Sequence, residues 1–235
     1  MPRLRQIIRR TFAAIIGVLL VAGAGLFATR ATVASLPPLR NGDIVFQTSY
    51  AVQSLAIALT SNSVYSHMGI IEFGADGLPY VVEASTKVRT VPLQGWLNRG
   101  VAGRVTVKRF AALTPEAAQK VLASAHVYDG LPYDMYFTFG KDAMYCSEHV
   151  RLAFDEGAGI VLGALQTADT LNIDNFAARR LIRQRWTGNP ICMPQIESFD
   201  ACYAKILKQE LVTPVSIARD PKLETIYSNF GPFGD

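Results

Sequence analysis

Cys146 lies in the run Met144-Tyr145-Cys146-Ser147-Glu148-His149, just where an aromatic loop ending near Gly140-Lys141-Asp142 gives way to helical apolar spacing at Val150, Leu152, Ala153 and Phe154. A thiol in the first turn of a helix meets unpaired backbone N–H groups and the positive end of the helix dipole. Both favour the thiolate and can also hold a developing oxyanion. Free cysteines are equally often buried packing residues, so this position alone leaves both readings open. The partner chemistry comes earlier in the chain. His67 opens an apolar run through Phe73, Gly74 to Pro79 reads as a turn, and Tyr80 to Ala84 carries Glu83, which together predict an antiparallel hairpin. With His67 opposite Glu83 and Phe73 near Gly77, the carboxylate accepts from one imidazole nitrogen and leaves the other as a base. A slip of one residue sends the two groups to opposite faces. The Cys146/His149 spacing is a rival, since with His67 and Glu83 it offers four metal ligands.

Those groups need elements to carry them. Asp43 to Gln47 reads as a strand after the Asn41-Gly42 turn, and Ser49 as the cap of a helix through Leu59 with Val52, Leu55, Ala56 and Leu59 on its apolar side. Val88 to Pro92 is extended, Leu93 to Leu97 a helical turn, and Arg104 to Phe110 a half-buried strand. Thr114-Pro115-Glu116 starts a helix to about Tyr128, with His126 suited to its C-terminal end as a structural residue. The passage Tyr133 to Phe139 is the most aromatic in the chain and leads into the Cys146 turn; its rings can line a pocket or pack beneath the helix. Further helices are predicted at Asn175 to Trp186, Phe199 to Leu207 and from Pro214 through Arg219.

The 235 residues, half of them hydrophobic, suffice for one full core. The net charge of +4 does not point to nucleic acid. Arg3, Arg5, Arg9, Arg10 and Arg30 precede Ser35 with no acid among them; without those five, 18 Lys and Arg face 19 Asp and Glu. The basic flank and the uncharged run Thr11 to Ala28 read as a signal peptide or membrane anchor, with Thr32-Val33-Ala34 a passable cleavage site and everything beyond it exported. In an oxidising compartment Cys192 and Cys202 can close a small loop, which leaves Cys146 as the odd thiol. There is no internal repeat, phosphate-cradling glycine loop or basic stripe.

The ordered segments GDIVFQTS, SHMGIIEF, PYVVEAS, LPYDMYF and MYCSEHV resemble the permuted papain-like amidases of the YiiX/YaeF group, in the NlpC-type branch of the papain-like superfamily. The resemblance is good over residues 39–157 and weaker at Leu211 to Pro214 and Tyr227 to Phe230. It implies an α+β fold, a small antiparallel barrel-like sheet packed on the Cys-bearing helix, to which the sequence adds an N-terminal hydrophobic helix. It also implies Cys146 as nucleophile, His67 as general base and acid, and Glu83 as the residue that orients the imidazole. The oxyanion is then expected at backbone N–H groups near Cys146 and Ser147, with the Tyr145 hydroxyl assisting. The expected reaction is cleavage of an amide or ester through an acyl-enzyme, with a lipid amide or cell-envelope peptide as substrate and no cofactor. Alternatives are a lipid acyltransferase using the same triad, as in the related lecithin:retinol acyltransferase-like branch, a metal site, or a binding module without activity. The organisation expected is a leader over 1–34, a linker over 35–40, a catalytic domain over 41–228 and a loose tail over 229–235.

Overall fold

The computed structural model describes residues 30–140, 142–193 and 198–231. Its centre is a six-stranded antiparallel sheet of β1 (Ile44–Gln47), β2 (His67–Phe73), β3 (Pro79–Ala84), β4 (Val88–Pro92), β5 (Thr106–Phe110) and β8 (Leu223–Ser228), in the order β4-β3-β2-β1-β5-β8. Two short strands, β6 (Gln166–Thr167) and β7 (Glu210–Leu211), pair separately. The pairing of the large sheet runs from β4 at one edge to β8 at the other. Both faces of its middle are covered, which is why β1 is buried at every residue and its sequence reads as a continuous apolar run rather than an alternating one.

Alternate side chains sort onto the two faces. Ile44, Phe46, Met68, Ile70 and Val82 join one core with helices α3 (Pro115–His126) and α4 (Cys146–Ala158). Val45, Ile71, Val81 and Val107 face helix α2 (Leu93–Asn98) through Leu93, Trp96 and Leu97. Helices α3 and α4 approach very closely at Gly157, where an added Cβ would lie 2.6 Å from the Lys120 carbonyl oxygen and 2.6 Å from the Val121 Cα. Those are backbone atoms and cannot move aside. Gly157→Ala is therefore expected to cost about 1–3 kcal/mol. Thermal unfolding should show a Tm lower by several degrees, whereas Gly95→Ala, whose Cβ would meet nothing within 4 Å, should not lower it.

Several expectations shift. The helix after β1 is α1 (Ser54–Ser61), four residues later than a Ser49 cap predicts, because Ser49 instead bonds Ser54 side chain to side chain at 2.6 Å. Val52 (83% exposed) and Leu55 (55%) consequently face solvent rather than the core. Residues 31–40 are not a free linker. Ala31 is buried and donates to the Gly103 carbonyl (2.9 Å), while Leu36 and Leu39 pack on the Trp96 side of the sheet. The chain is docked beyond Ser228 as well, since Asn229 exchanges hydrogen bonds with Val105 and the Phe230 ring meets Tyr65 edge-on at 5.4 Å. Residues 232–235 lie outside the described residues, as does the Thr11 to Ala28 run for which a hydrophobic helix is expected. Among the described residues no helix is long and apolar enough to cross a membrane.

The remaining helices are α5 (Phe176–Arg185), α6 (Phe199–Leu207) and α7 (Pro214–Ala218), each capped by the residue before it: Asn175, Ser198 and Thr213 accept from first-turn N–H groups. Cys192 and Cys202 form a disulfide that ties the chain beyond α5 to α6.

Candidate active site

His67 is the first residue of β2 and is 7% exposed. Its strand pairs with β3 two residues out of the register expected: Ile70 faces Val82 and Phe73 faces Pro79, which sets Glu83 opposite Gly69 instead of His67. A shift of two preserves the face, so the imidazole and carboxylate meet diagonally. Gly69 makes this possible. A Cβ there would lie 2.4 Å from Val81 Cγ1 and 3.4 Å from Glu83 Cβ. His67 Nε2 contacts Glu83 Oε2 at 2.6 Å, and the ring stacks on Trp96 with centroids 6.0 Å apart.

The other carboxylate oxygen is held by two arginines, Arg99 Nη2 at 2.7 Å and Arg89 Nε at 3.1 Å. Sequence reading missed both. Arg89 was within reach of it, because β4 places Arg89 directly across from Glu83 as an opposite-charge cross-strand pair. Arg99 follows α2 and left no local signal. Burial by itself would raise the Glu83 pKa, but the His67 hydrogen bond and the charges of His67 and Arg99 outweigh it and hold the carboxyl at about 2.

Cys146 is the first residue of α4 and is buried at its N-terminus. With Nε2 taken by Glu83, Nδ1 is the ring nitrogen left for a thiol, and the Cys146 side chain is, with Glu83, one of the two groups that favour the protonated ring. Burial alone would lower the His67 pKa, yet the bonds and charges of Cys146 and Glu83 more than reverse this and raise it to about 9. The imidazole accordingly keeps its proton at neutral pH. The first intrahelical bond runs from His149 N to Tyr145 O at 3.0 Å, so the N–H groups of Cys146 and Ser147 precede the ladder, as the first turn of any helix requires.

The Tyr145 hydroxyl, expected to assist at the oxyanion, and the Ser147 hydroxyl both bond the backbone of Val212. Ser147 Oγ donates to the Val212 carbonyl at 2.8 Å, and Tyr145 Oη accepts from Val212 N at 3.2 Å, clamping one stretch of backbone against the helix. Glu148 is completely buried and accepts from Tyr145 N and Gly140 N, both at 3.3 Å; burial pushes its pKa up to about 8. It fixes the turn ahead of Cys146. His149 does not join Cys146 as a ligand pair: its Nε2 donates to the Ala125 carbonyl of α3 at 3.0 Å, because α3 packs along that side of α4. His126 sits between Glu72 and Asp129.

The aromatic passage is laced to the cysteine turn, since Met144 N donates to Pro132 O (2.9 Å) and Asp134 N to Met144 O (3.1 Å). Asp134 then accepts from Tyr136 N, Thr138 N and Thr138 Oγ1 and curls the loop. Phe137, held at φ 57 in the left-handed region that bulky residues avoid, leans on Tyr145 at 5.5 Å. The result is a cavity of about 130 Å³, open in part to solvent, that reaches Cys146 and is walled by apolar residues such as Phe137, Ile57, Leu181, Ile182 and Ile206. A second space of about 440 Å³ opens on the imidazole side, lined by His67, Arg89, Arg99 and several hydroxyl side chains. Gln53 and Ile57 border both.

With this geometry in view, comparison with known proteins is informative. Residues 38–227 match the family described as permuted papain-like amidase enzyme, YaeF/YiiX, C92 family. The protein YiiX of Escherichia coli K12 is 30% identical over 188 residues, covering 80% of this chain and 85% of its own length. The crystal structure of the metalloprotein yiiX from Escherichia coli O157:H7 superposes with a TM-score of 0.70 at 30% identity, over 80% of this chain and 97% of that one.

Proposed function

The chain belongs to the permuted papain-like amidases of the YaeF/YiiX group, a family of cysteine amidases and peptidases, and from that membership we propose that it is an exported hydrolase of lipid amides. The observation carrying the substrate class is the apolar cavity that ends at Cys146, a shape and lining suited to an acyl chain and ill suited to a charged stem peptide. Export is read from the leader, and the Cys192–Cys202 bridge is consistent with an oxidising compartment.

In this reading the Cys146 thiolate, paired with the protonated His67, attacks the amide carbonyl carbon and the oxygen takes the negative charge. The N–H groups of Cys146 and Ser147 stabilise that oxyanion. As the tetrahedral intermediate collapses, His67 gives its proton to the leaving nitrogen, the C–N bond breaks and the acyl group remains on sulfur as a thioester. Water, deprotonated by His67, then releases the fatty acid and restores the thiol pair. Glu83 holds the ring in the tautomer and orientation that both proton transfers need.

The metalloprotein description of the solved relative does not carry over to a site here. Among the described residues no three His, Cys, Asp or Glu side chains are arranged as a ligand set, and His149 is turned away.

Turnover of N-acyl amides of increasing length tests the proposal. Each methylene buried in the cavity is worth about 0.8 kcal/mol, so kcat/KM should rise roughly fourfold per added carbon until the cavity is filled. Leu181→Trp, which narrows it, should shrink the ratio of dodecanoyl to acetyl amide turnover by at least about tenfold. Length-independent turnover together with cleavage of muropeptides would overturn the lipid reading in favour of a cell-envelope peptide.

A further inference from the structure

We propose that the cleft on the imidazole side of Cys146 binds an anionic group, a carboxylate or phosphate, on the amine half of the substrate, with Arg89 and Arg99 as its receptors. The inference rests on the amidase reading, because that chemistry decides which half of the substrate lies where. His67 delivers its proton to the leaving nitrogen, so the amine must depart on the side the ring faces. The acyl half stays bonded to Cys146, and Cys146 lines the apolar cavity, whereas His67 lines the polar cleft. Gln53 and Ile57, which border both spaces, place the scissile bond at the boundary between them.

The charges of the cleft specify what the amine half should carry. Each arginine contributes one nitrogen to Glu83 Oε1, and each guanidinium has five N–H donors, so most of their donor capacity is left over. Their side chains are 33% and 37% exposed, unlike the fully buried carboxylate they hold. Among the described residues no Asp or Glu lines the cleft, while Ser85, Thr86 and Asn98 add neutral hydrogen-bonding groups. One carboxylate, shared with His67, is thus set against two guanidiniums. The excess positive charge opens onto the space where the leaving group sits. Planar guanidiniums match carboxylate and phosphate oxygens two at a time.

A purely structural role, in which the arginines serve only to hold Glu83, predicts something different. It would weaken charged and neutral substrates alike when Arg89 is changed. The experiment therefore reads a ratio. In the Cys146→Ala protein, dissociation constants are measured by titration calorimetry for N-dodecanoylglycine against N-dodecanoylglycinamide, and for O-phospho-N-dodecanoylethanolamine against N-dodecanoylethanolamine. At least one anionic member should bind about tenfold or more tightly than its neutral partner, and whichever pair shows the larger ratio identifies carboxylate or phosphate. Arg89→Gln should bring that ratio to within about twofold, and Arg89→Lys should restore part of it. Should Arg89→Gln fail to fold, the salt dependence of the parent substitutes for it: added NaCl should weaken only the anionic ligand. Equal affinities within both pairs, or a ratio untouched by Arg89→Gln, overturns the assignment. Acyl-probe labelling of wild-type Cys146 checks the amidase reading independently, so a failure there with the ratio intact sinks the chemistry and not the cleft.

Discussion

Cys146→Ala is expected to abolish acyl-probe labelling and to lower kcat/KM on a lipid amide by at least about 10⁴-fold, roughly 5.5 kcal/mol of transition-state stabilisation. The size follows from the geometry. The thiol is held at the first turn of α4, where it helps an imidazole keep its proton to about pH 9, and no other cysteine is free among the described residues. The substitution removes a buried sulfur without touching the clamp of Ser147 and Tyr145 on Val212, so the fold should persist and a melting curve can verify that it does. Equal labelling of both proteins would falsify the nucleophile. His67→Ala should cost nearly as much, and the two together no more than either alone, since nucleophile and base act as a unit.

Glu83→Gln should lower kcat/KM roughly 10²- to 10⁴-fold and, more tellingly, shift the alkaline limb of its pH profile. The sign is set by His67. Its folded pKa lies above the unfolded 6.5, at about 9, so the pairing contributes stability in full below 6.5 and loses it as pH rises through 9. Glu83 contributes in the opposite window, present above 4.5 and lost as pH falls through about 2. The catalytic acid is the protonated ring, so wild-type kcat/KM should fall as pH rises through about 9. Glutamine removes the anion and leaves Arg89 and Arg99 beside the imidazole with no carboxylate to neutralise them, which disfavours the charged ring further. The alkaline inflection should drop by at least about one pH unit, measured as labelling rate against pH. An inflection that stays at 9 in the variant would mean that the carboxylate does not govern the ring.

The local signals in the chain were strong where side-chain period and capping decide the element. Pro115 to His126, Phe199 to Leu207 and the strands of the central hairpin all lie where their apolar spacing and caps place them. The start of α1 departs from the Ser49 cap because the Ser49 hydroxyl bonds that of Ser54, the first helical residue, and Gln53 takes the cap position without a side-chain hydrogen bond, a choice made by the fold. The hairpin's register also escaped, because Gly74 to Leu78 closes a loop whose length the turn residues alone do not fix. The error was harmless only because it was even.

What the sequence by itself determined is the chemistry available: a thiol at a helix start, a histidine at a strand entrance and a carboxylate on the partner strand, in an order that resembles one family. Their convergence was decided by packing. Gly69 and Gly157 are the points where backbone and side chains come close enough to bring β3 onto β2 and α3 onto α4. The tertiary structure alone assigned Arg89 and Arg99 to Glu83, turned His149 and Ser147 away from the thiol, and set an apolar and a charged space on either side of it. The physical reason is the range of the forces involved. Caps and periodicity act within a few residues and can be read along the chain, whereas charge pairing and cavity shape depend on groups 6 to 65 positions apart that meet only after the chain has folded.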